Sequence, residues 1–330
     1  MHLRFLALLL VLMNWASCGS AQFVYVPWEA EHGDGNTNSY IPMAESPNPS
    51  GQTIWYVGPI RYQQVYDATA FSDLPEGGAF LAAIWLRLNC RKGNQDVFFV
   101  STNFQIDIST TLRKPDGLSQ MFSENIGLDN INAFGPGRYL IIGSARCPLV
   151  SSFAFNAMQL AIPFFYNPRK ANLLLDFRNG GSELPDRWIE EKPSLDAVDI
   201  KGDSVSRVAS LSLTNDTADI VDTLGLVTVF TYGPVPKLKI LRAGGELLLS
   251  WPDFPPAFAL ETTRTLDANP AWTPYTGTIE EQEPNIRTTR VQIADLAGTL
   301  YFRLFWNSPQ VGIPQPTAEI LPAQLSNLHP

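Results

Sequence analysis

Short apolar runs alternate with clusters of turn-forming residues, and no stretch sustains a helical period beyond about ten residues. This spacing constrains the fold more than any other feature, because it leaves little room for βαβ units or helical bundles. Ala79 to Leu88 (AFLAAIWLRL), Asp96 to Ile108 (DVFFVSTNFQIDI), Tyr139 to Ile142, Met158 to Tyr166, Ala171 to Phe177 and Gly225 to Tyr232 are rich in β-branched and aromatic residues. Between them, Asp73-Leu74-Pro75-Glu76-Gly77-Gly78, Arg91-Lys92-Gly93-Asn94, Pro115-Asp116-Gly117 and Asn179-Gly180-Gly181 supply the residues at which a backbone reverses. Apolar and polar residues alternate strictly over Phe104 to Ile108, as a strand with one wet face requires. The expectation is an all-β fold, with a large jelly-roll-like β-sandwich over residues 52–233.

A joint falls at Tyr232-Gly233-Pro234-Val235-Pro236, where two prolines beside a glycine make a stiff extended connection. Beyond it, Lys237 to Leu241, Glu246 to Trp251, Ala257 to Thr263, Arg287 to Ile293 and Thr299 to Phe305 form a second set of short strands. Their size and spacing suit a small immunoglobulin/fibronectin-III-like sandwich over 236–308, with Trp251 in its core and Tyr301 placed as a corner tyrosine. Residues 22–51 read as a polar N-terminal segment and 309–330 as a proline-rich tail.

Arg4, the apolar run Phe5 to Met13 and the small residues Gly19 and Ala21 have the form of a secretory signal peptide over 1–21, and the run is too short for a membrane span. Ala16-Ser17-Cys18 resembles the end of a lipobox, but Trp15 stands where a small aliphatic residue belongs, so soluble export is expected over a lipoprotein at Cys18. Cleavage after Ala21 leaves 22 basic residues against 32 acidic ones. A net negative surface repels phosphate backbones and anionic lipid, which leaves extracellular polymers, glycans, protein surfaces or divalent cations as partners. The remaining cysteines, Cys90 and Cys147, are an even pair in an exported chain and predict a disulfide, which would stabilise the fold by about 4 kcal/mol in the chain-entropy model; two buried thiols are the alternative.

Histidine occurs only at positions 2, 32 and 329, outside both expected cores, which removes Ser-His-Asp and Cys-His devices and histidine-rich zinc sites. No Walker loop, GxGxxG or GxSxG sequence is present, and no cofactor is called for. A carboxylate-only glycosidase passes this filter. Its densest acidic stretch is Glu190, Glu191, Asp196, Asp199 and Asp203, which Pro193 interrupts and which reads most simply as a solvated loop. Asp34-Gly35-Asn36-Thr37-Asn38 has the oxygen-rich character of a calcium loop but lacks the remaining EF-hand ligands. Trp55, Tyr56, Tyr62 and Tyr66 lie close together and could form an aromatic platform for a sugar ring; Tyr62 and Tyr66 would share one face of a strand and could equally be core.

Arg61 to Tyr66 (RYQQVY), Ile106 to Thr111 (IDISTT), Asn172 to Asp176 (NLLLD), Gly202 to Arg207 (GDSVSR) and Gly225 to Thr228 (GLVT) resemble, in that order, exported bacterial proteins of the PEP-CTERM-associated kind. The resemblance covers roughly residues 52–232 and implies a β-sandwich ectodomain with no catalytic motif. Leu249 to Pro252, Leu260 to Thr263 and Asn269 to Thr273 are similar to an accessory module of the same proteins. Two functions therefore compete: a noncatalytic extracellular binding or structural protein, which recognises carbohydrate or matrix polymer, and a carboxylate-dependent carbohydrate-active enzyme. For Asp176, backbone hydrogen bonds at a strand end are expected over cation binding.

Overall fold

The computed structural model describes residues 22–27, 35–39, 59–87, 95–145, 158–183, 195–254, 258–267, 269–283, 285–292, 299–306, 310 and 321–323. These residues form β-strands joined by turns and by two short 3-10 segments, Ala68–Phe71 and Phe122–Asn125. The chain divides into two compact units, the larger built on Phe23–Tyr232 and the smaller on Gly233–Ser308.

The larger unit carries β1 (Gln22–Val26), β2 (Thr37–Ser39), β3 (Ile60–Tyr66), β4 (Ala79–Leu86), β5 (Gln95–Thr111), β6 (Ile131–Ala145) and β7 (Met158–Tyr166). It continues with β8 (Asn172–Asn179), β9 (Ser182–Glu183), β10 (Leu195–Asp199), β11 (Val205–Ser210), β12 (Ile220–Asp222), β13 (Leu224–Leu226) and β14 (Thr228–Gly233). One sheet runs β1-β14-β4-β7, a small one β13-β10-β2, and the largest β12-β11-β3-β8-β5-β6 with β9 added on β5. The expected all-β sandwich architecture is present, with its core between the sheets. Because side chains alternate along a strand, Tyr62 and Tyr66 of β3, Phe104, Ile106 and Ile108 of β5, and Leu173, Leu175 and Phe177 of β8 all face inward. They meet Val24 and Val26 of β1, Leu81 and Ile84 of β4, and Phe230 and Tyr232 of β14. Tyr66, Phe71, Phe230 and Tyr166 interlock edge to face or tilted, with ring centroids 5.0–6.4 Å apart.

The polar side chains that Gln64, Tyr66 and Tyr166 bring into this core are hydrogen-bonded. Gln64 uses its side-chain amide as a peptide group would, donating to the Leu226 carbonyl at 3.0 Å and accepting from the Leu226 N–H at 2.8 Å. It thereby joins β3 to β13, and its oxygen also accepts from the Tyr62 hydroxyl. The Tyr66 and Thr228 hydroxyls are 2.9 Å apart, and Tyr166 donates to the Ala171 carbonyl.

The smaller unit has β15 (Lys239–Ala243), β16 (Glu246–Pro252), β17 (Phe258–Thr263), β18 (Thr273–Pro274), β19 (Glu280–Glu283), β20 (Ile286–Gln292), β21 (Leu300–Trp306) and β22 (Leu321–Ala323). Two four-stranded sheets, β15-β16-β20-β19 and β18-β17-β21-β22, supply Leu247, Leu249, Trp251, Leu260, Phe302, Leu304 and Trp306 as buried residues. Trp251 is core as expected, while Tyr301 is half-buried within β21 opposite Thr263.

Two expectations change. The polar segment 22–51 contributes β1 and β2 to two sheets of the larger unit, because Val24 and Val26 alternate inward and the residues around Gly35 are tied to β10. The tail 309–330 contributes β22, whose backbone pairs with β21, and Gln310, which is grouped with the larger unit and bonds the Phe165 N–H and carbonyl through its side-chain amide. Cys90 and Cys147 lie outside the described residues. Among the described residues no helix is long and apolar enough to cross a membrane.

Candidate functional site

The same alternation that buries Tyr62 and Tyr66 turns Arg61 and Gln63 to the opposite face of the largest sheet. Antiparallel register places Arg61 opposite Arg178 and Gln63 opposite Asp176 on β8. Arg178 in turn lies opposite Gln105, Asp176 opposite Asp107 on β5, and Asp107 opposite Asn132 on β6. The result is a grid of two rows, Arg61-Arg178-Gln105 beside Gln63-Asp176-Asp107-Asn132, drawn from four strands.

Like charges directly opposite each other destabilise a sheet, and the opposed pairs Arg61/Arg178 and Asp176/Asp107 are offset by ion pairs along the diagonals. Arg61 reaches Asp176 with two N–H groups, Nε to Oδ1 at 3.2 Å and Nη2 to Oδ2 at 2.6 Å. Gln63 Nε2 adds a third bond to Oδ2 at 2.9 Å. Arg178 Nη2 stands between the two acids, 3.3 Å from Asp107 Oδ2 and 3.5 Å from Asp176 Oδ2. Asp107 Oδ1 accepts from Gln105 Nε2 at 2.8 Å and Asn132 Nδ2 at 3.0 Å. Asp176 therefore sits in mid-strand on side-chain donors rather than at a strand end on backbone ones.

One end of the grid is closed by the segment between β5 and β6. Phe122 stacks on the Arg61 guanidinium at 4.4 Å, its carbonyl accepts from Gln63, and Asn125 Nδ2 donates to Gln63 Oε1. Phe122, Val208 and Ala218 form a small apolar cluster there. The other end is open: Asn132 is exposed, Gln105 is half-buried, and the Arg178 side chain keeps 36% of its surface in solvent, although its Nε is buried with no partner.

Tyr62 and Tyr66 have no exposed surface, so neither serves as a ligand contact; both belong to the core. Burial pushes both phenols well above the usual tyrosine range. Trp55 and Tyr56 lie outside the described residues. Of the acidic stretch, Asp196 is buried on β10, paired with Arg87 at 2.5 Å, and accepts the Gly35 N–H with both carboxylate oxygens. Asp199 accepts from the Thr223 hydroxyl, and its backbone exchanges hydrogen bonds with the Asn36 side chain. Gly35 and Asn36 are thus held by strand β10, while Asp34, Glu190 and Glu191 lie outside the described residues. Among the described residues no three histidine, cysteine or acidic side chains gather closely enough to hold a metal ion.

A cleft of about 500 Å³ opens beside Thr110, Gly127 and Lys170, rimmed by the exposed Leu112 and Leu128. Its acids are committed to neighbours: Asp129 accepts the Thr110 N–H and hydroxyl, and Glu124 pairs with Arg113. Sequence reasoning missed the grid because its members lie far apart along the chain and meet only through register. The alternation at Gln105 and Asp107 was the one local sign of it. No family model, curated protein or solved structure matches this chain.

Proposed function

We propose that the chain is an exported, noncatalytic binding protein that holds a neutral, hydroxyl-rich extracellular polymer along the open Gln105-Arg178-Asn132 end of the grid. The observation that carries this reading is the commitment of the facing carboxylates. Asp107 and Asp176 are directly opposed carboxylates, as a glycosidase pair would be, yet their oxygens are spent on two arginines and three side-chain amides. A retaining or inverting hydrolase needs one acid that donates a proton and another that attacks or activates water. What the open end offers instead is a fixed set of amide and guanidinium donors on rigid strands, which suits hydroxyl recognition without turnover. The surplus of acidic residues, 32 against 23 basic, supports a neutral ligand over a polyanion.

The test uses the mature protein with microcrystalline cellulose, chitin, xylan and starch, following both retention and reducing-end release. Retention without release is expected, with Arg178→Ala weakening it about tenfold, the loss of one charge-assisted contact. Sustained sugar release abolished by Asp107→Asn would instead establish the enzyme.

A further inference from the structure

We propose that the smaller unit carries a second polymer-binding surface, a ring-stacking platform made by Trp272, Arg303 and Phe305 for the face of a neutral sugar. On β21, Phe302, Leu304 and Trp306 are buried, so alternation turns Tyr301, Arg303 and Phe305 to the other face of the sheet, where all three are half-buried. The Arg303 guanidinium lies 4.3 Å from the Trp272 ring centroid and 5.1 Å from that of Phe305, so one cation bridges two aromatic rings. The residue opposite Phe305 on β17 is Ala259, itself exposed and too small to cover a ring.

Charge selects the occupant. Arg303 Nε and Nη2 both donate to Glu261 Oε2, at 2.8 and 2.7 Å, and the two residues are direct cross-strand partners. The platform is therefore electroneutral: it presents π faces flanked by a cancelled ion pair, with Glu261 Oε1 as an acceptor beside them. An anionic polymer finds no uncompensated cation in this trio, and a polycation finds no uncompensated acid. A pyranose ring matches both features, since its C–H face packs on an aromatic ring and its equatorial hydroxyls meet acceptors at the rim. The rings are half-buried and pack on a guanidinium that Glu261 fixes, so little side-chain freedom is lost on binding.

This inference shares the neutral-glycan reading above but assigns a separate surface, and the two separate experimentally. Depletion isotherms on microcrystalline cellulose, chitin, xylan and starch are measured for the full mature chain and for Trp272→Ala, Trp272→Phe, Phe305→Ala and Arg178→Ala. Thermal unfolding of each variant is recorded alongside. Trp272→Ala is expected to weaken retention about tenfold, with Trp272→Phe restoring most of it. Where Trp272→Ala lowers the unfolding temperature, Phe305→Ala, which leaves the Glu261 pair in place, gives the same reading. Wild-type retention in both alanine variants overturns the platform even if Arg178→Ala abolishes binding. Loss in Trp272→Ala with normal binding by Arg178→Ala upholds it and overturns the grid. A wild-type chain retained by none of the four polymers overturns both.

Discussion

Asp176 shows how one carboxylate can be held inside a sheet face that would otherwise repel it. It is almost fully buried and lies directly across from Asp107, and its charge is compensated by Arg61 along the diagonal and by Arg178 two residues along the same strand, with Gln63 opposite adding a hydrogen bond. Asp176→Asn keeps the shape but removes the charge that compensates Arg61, whose side chain is only 12% exposed. The expected cost is about 3 kcal/mol, read as a lowered urea midpoint at an unchanged slope. Glu76→Gln breaks the exposed pair with Arg169 and should leave the midpoint where it was. Residue by residue, the sequence disclosed which side chains alternate but not which strands lie side by side. Gln105 and Asp107 could be assigned to a polar face from their own neighbours. That Arg61 and Asp176 join them depends on the pairing of β3, β8 and β5, for which no local signal exists.

At the scale of elements, long apolar runs were legible and short edges were not. Met158–Tyr166 and Glu246–Pro252 coincide with strands anticipated almost to the residue, since apolar residues dominate them and turn formers bound them. Thr37–Ser39 is three polar residues whose strand character comes wholly from β10. Its anchor is Gly35, where an added Cβ would lie 2.1 Å from the Ala197 carbonyl oxygen, a backbone atom that cannot swing away. The Gly35 N–H is also held by Asp196, which the buried Arg87 keeps in place. Gly35→Ala should therefore prise the entry to β2 off β10, costing about 1–3 kcal/mol. Hydrogen exchange would report it as faster exchange over 37–39 and 195–197, with β8 protected as before; unchanged exchange at those positions would refute the anchoring role.

Across the whole molecule, phenols are unevenly placed. Tyr62, Tyr66, Tyr139, Tyr166 and Tyr232 all lie in the core of the larger unit, and burial raises each above the usual tyrosine value, with Asp67 adding to the effect at Tyr166 and Asp73 at Tyr232. An acid whose folded pKa is raised contributes stability that is complete below its unfolded pKa, near 10 for tyrosine, and is lost as pH climbs toward the folded value. Above pH 10 the unfolded chain has shed protons that the folded core still holds, so every further pH unit favours unfolding by about 1.4 kcal/mol for each such tyrosine. Acting together, these phenols would remove much of a typical domain's stability, about 5–15 kcal/mol, as pH climbs. The expected behaviour is a cooperative alkaline transition of the larger unit in which the buried tyrosines' share of the tyrosinate absorbance rises with the loss of near-ultraviolet dichroism rather than before it. Tyr66→Phe should lower the slope of stability against pH by one proton's share, since it deletes one of these buried phenols. Tyrosinate absorbance that reaches the full amplitude of all 10 tyrosines while the dichroism persists would show that these rings are reached by solvent in the folded chain, contrary to their burial between the sheets.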